Sequence, residues 1–211
     1  MNDRADSTQP AWRERAAKTR KRNSEVAVIG AAWALAQENS FEDVSVDEIA
    51  AHANVRTSTI YSRFGSKAGL AAAMLGPSFS AVIEAARRDL TDAVAAPKAI
   101  ENFLGRVGST VDENRGVATV FFAGLAKGPH HKLSGQHDNL RASTLDVPRM
   151  LGEVLAAGVA TGEIAIDGEA FETARMILNF FVARYLTQNE PGSQSAALVG
   201  RIVLRGIEAR R

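Results

Sequence analysis

The sequence predicts an all-α protein: an N-terminal three-helix unit containing a helix-turn-helix, followed by a longer helical body. Three observations carry this. Apolar residues recur three or four apart along most of the 211 residues, and no stretch alternates convincingly like a strand. Ser45 and Glu48 stand three apart just before an apolar pair, the spacing of a capping box. Asn54 then separates two short helical patterns, and Asn tolerates the left-handed backbone that a sharp helix–helix turn needs.

Met1 to Pro10 is polar and has little to bury, and 11–22 is strongly basic. Arg13, Arg15, Lys18, Arg20, Lys21 and Arg22 face only Glu14 in that stretch. Residues 1–22 therefore read as a disordered basic arm suited to phosphates or a minor groove, with a solvated tail as the alternative. Ser24 is the expected cap of a first helix running to about Glu38, its inner stripe formed by Val26, Ile29, Trp33 and Ala36. Phe41 and Val44 should close the base of the small core.

The first short helix begins at Ser45 and turns Ile49 and Ala50 inward. After Asn54, Val55 plugs the turn, and Thr57 to Phe64 form the second helix with Ile60 and Phe64 one turn apart. Thr57, Ser58, Thr59, Ser62 and Arg63 then point mostly outward, with Tyr61 beside them. No Asp or Glu occurs between Glu48 and Glu84, whereas Arg56, Arg63 and Lys67 fall in that window. A small, polar outer face flanked only by cations suits insertion into the DNA major groove. The base-edge candidates are Arg56, Thr57, Ser58 and Thr59. The phosphate candidates are Tyr61, Arg63 and Lys67, and Ser45 at the first helix start completes the expected DNA-facing set. Ser66 should cap the next helix. Lys67 in its first turn opposes the helix dipole, a conflict that a bound phosphate would resolve.

These residues resemble the N-terminal DNA-binding domain of the TetR family of bacterial transcriptional regulators. The match runs through Phe41, Val44, Ser45, Val46, Ile49, Ala50, Ala53 and Val55, then Thr59, Ile60, Tyr61, Phe64, Ser66, Lys67 and Leu70. Four positions depart from the pattern: Asn54 for the usual Gly, Arg56 for a capping Ser or Thr, Arg63 for a frequent His or Tyr, and Gly69 for a common Glu. The resemblance implies that Lys67 contacts the DNA backbone. It divides the chain into a basic arm at 1–22, a helix-turn-helix domain at 23–70, and a C-terminal helical ligand-binding and dimerisation domain at 71–211.

The body reads as helices throughout. Gly65 to Leu90 is one long pattern that Gly76-Pro77 should kink or split. Ala99 to Asp112, Val117 to Ala126 and Leu140 to Thr161 follow, with 128–136 a loop. Asp167 to Gln188 and Gln194 to Arg211 form a final pair, whose apolar stripes are too wide for one small pair to bury. The resemblance implies that these two helices build a homodimer, with Ala174, Ile177, Phe181, Tyr185, Ile202 and Ile207 at the interface; burial within one subunit is the alternative. It also raises a ligand pocket among Phe103, Phe121, Phe122, Met150 and Phe180, suited to a small apolar effector, although plain core would read the same way.

Composition bounds the rest. Apolar residues at 45% and charged residues at 23% describe an ordinary globular chain. The absence of Cys rules out disulfides and thiolate metal sites and is compatible with a cytoplasmic location. No apolar run reaches membrane-spanning length by inspection, so no membrane partner is expected. His130, His131 and His137 with Asp138 lie in a polar Gly/Pro loop without helical pairing, so neither a metal nor another cofactor is expected. No nucleophile–base–orienter set or phosphate-binding loop is present, which argues against an enzyme. The reading is a ligand-responsive repressor of a palindromic operator; the rival is a ligand-binding module without operator recognition.

Overall fold

The computed structural model describes residues 11–126 and 146–207. Among them nine α-helices run in chain order: α1 (Ala11–Glu38), α2 (Val46–His52), α3 (Thr57–Phe64), α4 (Lys67–Thr91), α5 (Ala96–Glu113), α6 (Arg115–Ala126), α7 (Val147–Ala160), α8 (Ala170–Gln188) and α9 (Gly192–Ile207). No strand occurs among the described residues, as the patterning predicts.

The start of α1 corrects the sequence reading. The stretch 11–22 is not a disordered arm but the first part of a 28-residue helix, rich in good helix formers and free of Gly and Pro until Gly30. Ser24 does not cap it; its hydroxyl donates to the Arg20 and Lys21 carbonyls inside the helix, at 3.1 and 2.9 Å. The inner face is also shifted. Val26 is 64% exposed, whereas Val28, Ala31 and Ala32 are buried, with Ile29, Trp33, Leu35 and Ala36 half-buried beside them. Residues 1–10 lie outside the described residues, as does the His130–Asp138 stretch.

α4 passes through Gly76-Pro77 without splitting. It is long and apolar enough to cross a membrane, contrary to the sequence reading, but here it is the central core helix. Leu70, Met74, Leu75, Phe79 and Val82 are buried against α5, α6 and α7. α5 and α9 approach closely through small residues. A β-carbon on Gly108 would stand 2.8 Å from the Gly192 carbonyl oxygen and the Ser193 Cα.

Candidate nucleic-acid interface

The candidate DNA-reading unit is α1–α3 with the first turns of α4. Ser45 Oγ accepts the Glu48 N–H at 3.1 Å, and Glu48 Oε2 accepts the Ser45 N–H at 2.7 Å, closing the capping box. Asn54 takes φ +51° as the turn requires, and the Val55 N–H donates to the Ala50 carbonyl at 2.9 Å. Ile49, Ile60, Phe64, Phe41 and Val44 are buried beneath the turn. The hydrophobic wedge therefore fixes which face of α3 looks outward.

That face carries Arg56, Ser58, Tyr61 and Ser62, all exposed, with Thr59 half-exposed. Arg56 occupies the N-cap position of α3 without a capping hydrogen bond, which leaves its guanidinium beside the helix start. Thr57 is tied differently: its hydroxyl donates to Asp47 Oδ1 at 2.7 Å and locks α3 to α2. Ser45 uses its hydroxyl oxygen in the cap, although the residue stays exposed.

The two predicted phosphate cations have inner partners. Arg63 turns back to α1, donating to the Lys21 carbonyl at 3.0 Å and pairing with Glu25 at 3.3 Å, both side chains largely shielded from water. It does not stand on the outward face with Tyr61. Lys67 donates to the Glu42 carbonyl at 2.8 Å and lies 5.1 Å from the Phe41 ring centroid. Partial burial pushes its pKa down, against the opposing pull of Asp43, Glu42 and Glu48. Beside it Ser66 caps α4 by accepting the Gly69 N–H at 3.0 Å. Gly69 has a local reason to depart from the family pattern, since a β-carbon there would run into the Phe64 carbonyl oxygen.

In the body, the aromatic residues divide. Phe121 and Phe122 of α6 line a cavity of about 260 Å³ with Phe79, Val107, Leu125, Val147, Pro148, Leu178, Phe181 and Val182. Arg175 and Asn179 are its charged and amide members. Phe103 and Met150 are buried outside its lining, and Phe180 is 45% exposed, so these three do not join Phe121 and Phe122 in one pocket. Sequence reading missed Phe79 and Phe181, whose rings lie 6.4 Å from Phe121 and 6.2 Å from Phe122. Nothing local marks them as lining; both sit on ordinary helical stripes. A larger recess of about 690 Å³ is an open trough between α4 and α5 with Lys98, Glu101, Arg106 and Glu113 on its walls.

The expected interface stripe also needs correction. Ala174, Ile177, Phe181 and Tyr185 are buried within the subunit, on the inner face of α8. Tyr185 is tied there by a 3.2 Å hydrogen bond with Thr119 on α6. Ile202 is 50% exposed and Ile207 half-buried. The outward apolar side chains of α8 are instead Phe171, Met176 and Phe180, 39%, 71% and 45% exposed.

Residues 28–74 match the pattern of the bacterial regulatory proteins, tetR family. No curated protein sequence matches the chain. Among solved structures, the fold is similar to that of Thermus thermophilus FadR, a TetR-family transcriptional repressor in complex with lauroyl-CoA. Identity is 16%, coverage 89% of this chain and 96% of that one, and the TM-score 0.72. It is also similar to the fatty acid degradation regulator FadR from Bacillus halodurans, at 16% identity, coverage of 89% and 97%, and TM-score 0.60. RolR in complex with resorcinol gives 21% identity, coverage of 88% and 89%, and TM-score 0.60. The chain thus carries the N-terminal domain of the TetR family of bacterial regulatory proteins, on a helical body with the fold of that family's transcriptional regulators.

Proposed function

We propose that the protein is a homodimeric repressor that binds a palindromic operator and is released by a small, mostly apolar effector. The carrying observation is the outward face of α3: Arg56, Ser58, Thr59 and Tyr61 stand clear of the core on a helix that the capping box and the Asn54 turn hold in place. Arg56, Ser58 and Thr59 read base edges, with Thr57 as the residue that sets the helix against Asp47. Tyr61 and Lys67 meet phosphates, and the start of α4 adds backbone N–H groups to the same side. The division at about residue 70 separates this reader from the responding body.

Dimerisation is supported by the outward apolar side chains Met176, Phe180 and Ile202 on α8 and α9. Two α3 helices about 34–36 Å apart then address successive major-groove faces. The effector reading rests on the cavity lined by Phe121 and Phe122. A volume of about 260 Å³ suits a molecule the size of a substituted aromatic ring, with Arg175 and Asn179 available to one polar group. Thermus thermophilus FadR and RolR, which share this fold, hold lauroyl-CoA and resorcinol, and those complexes support an organic ligand here.

α6 connects the two parts. Its Phe121 and Phe122 form cavity wall, and at its N-terminal end a β-carbon on Gly116 would sit 3.1 Å from the Phe41 backbone nitrogen. An effector that favours a displaced α6 shifts the population toward a spacing of α3 helices that no longer fits the operator. Such a regulator works where the genome is, in the cytoplasm.

The test is selection of bound sequences from a random DNA pool, followed by affinity for the winner with and without small aromatic compounds. Recovery of a palindrome whose binding weakens on adding one compound is the expected result. Sequence-blind binding alone overturns operator recognition and leaves the rival, a ligand-binding module.

A further inference from the structure

α1 projects well beyond the unit it belongs to. Its first buried side chain among those described is Val28, so about 25 Å of helix precedes the core at 1.5 Å per residue. Among its described side chains none is fully buried, and Trp12 and Val26 are both exposed. A lone helix of this length is marginal in water, and packing of an apolar face is the usual remedy. What the projection carries instead is charge: six cations, at 13, 15, 18, 20, 21 and 22, against Glu14.

The cations are ordered relative to the recognition helix. Residues 15, 18, 22 and 25 are spaced three, four and three apart, so Arg15, Lys18, Arg22 and Glu25 share one side of α1. Glu25 is the residue that pairs with Arg63 of α3, and the Lys21 carbonyl beside it accepts from the same guanidinium. The side of α1 that meets the recognition helix therefore continues outward as an exposed cationic stripe.

We propose that residues 11–22 are a second DNA-contacting element, a helical arm whose Arg15, Lys18 and Arg22 lie along phosphates flanking the base pairs that α3 reads. Continuity with α3 and charge complementarity select duplex DNA over other anionic partners. The arm's length of about 18 Å spans about five base pairs. Arg63 sets its direction. This inference builds on the operator-reading proposal, yet it needs only duplex binding, so the two fail separately.

The experiment compares the full-length protein with the triple variant Arg15→Gln, Lys18→Gln, Arg22→Gln on selected operator and on random duplex. Gln keeps helix propensity, and an unchanged circular dichroism spectrum checks the fold. The slope of log affinity against log salt should become shallower by about 5 on both DNAs, since each subunit of the dimer loses three phosphate contacts and each contact contributes about 0.9. On the operator, hydroxyl-radical protection should retract by up to about five base pairs at each edge, with the selected core sequence unchanged. The pair Arg13→Gln, Arg20→Gln, on the opposite side of the helix, should change the slope less. Equal slopes for wild type and triple variant overturn the proposal, as does a triple variant that loses binding only to anionic lipid vesicles. If wild type proves sequence-blind while the triple variant still flattens the slope on random duplex, the arm stands and operator reading falls.

Discussion

Arg63 on the recognition helix and Glu25 on α1 face each other at 3.3 Å across 38 positions of sequence, with the Arg63 Nε buried and lacking a hydrogen-bond partner. The pair makes the outward cation of the sequence reading an inward strut. Arg63→Gln is therefore expected to lower stability by about 1–2 kcal/mol, because it leaves Glu25 and the Lys21 carbonyl short of a donor. Thermal unfolding measures this. The salt slope of DNA binding should stay as in wild type, whereas a slope reduced by about one per subunit would return Arg63 to the phosphate contacts.

Lys67 predicts the opposite pattern. Its ammonium sits at the start of α4 between the Glu42 carbonyl and the Phe41 ring, and the residue is only half-buried. Lys67→Met keeps the aliphatic stem over Phe41 and removes the charge. Affinity should fall on every DNA sequence, with a slope lower by about 0.9 per subunit, about 1.8 for the dimer, and unfolding little changed. A preserved slope would leave Lys67 as a tie between α4 and the loop at Glu42 only.

How far the sequence carries depends on whether a signal is local. The capping box, the Asn54 turn and the α3 wedge are set within a few residues, and Ser45, Glu48, Asn54, Ile60 and Phe64 behave as their spacing predicts. The α8 stripe is ambiguous in sequence because the helix is apolar on two sides: Ile177 and Phe181 face the core, Met176 and Phe180 face out, and periodicity alone does not tell which side meets the rest of the chain. Ser24 is ambiguous for a related reason, since a Ser that fits a cap can equally bond back to the i−4 carbonyl within a longer helix. The partners of Arg63 and Asp112 lie dozens of residues away and have no local signature.

Asp112 illustrates such a distant partner. From the end of α5 it accepts the N–H groups of Gly192 and Ser193 at 2.5 and 2.9 Å, capping α9 across the bundle. Burial pushes its pKa up, but the Ser193 and Gly192 hydrogen bonds and the nearby Arg115 outweigh it and hold the carboxyl below its ordinary value. A depressed folded pKa means that the unfolded chain takes up the proton first as pH falls. The cap's contribution is therefore full above the ordinary Asp value of about 3.9 and is lost below it. Asp112→Asn should lower stability at neutral pH by about 1 kcal/mol. The gap from wild type should stay constant down to about pH 5 and close below about pH 4. Chemical unfolding across that range decides; a gap independent of pH would mean that the carboxylate charge contributes nothing.

Gly124 tests whether α6 joins the cavity to the DNA reader. It packs so closely on Ala68, beside Lys67, that a β-carbon would clash with the Ala68 Cβ. Gly124→Val must push α6 and the start of α4 apart, while Phe121 and Phe122 stay on the same helix as cavity wall. The variant should lose about 1–3 kcal/mol of stability from overpacking. If the α6–α4 contact sets the spacing of the two readers, operator affinity should also fall by about 0.5–2 kcal/mol, with an unchanged salt slope because the phosphate-facing residues are intact. Gly105→Ala is the matched control. It lies in α5 with no atom within 4 Å of the added carbon, and it should gain stability by about 0.5–1 kcal/mol and leave binding untouched. A Gly124 variant that unfolds earlier yet binds operator like wild type would separate packing from signalling and move the coupling elsewhere, first to the Gly116–Phe41 approach at the other end of α6.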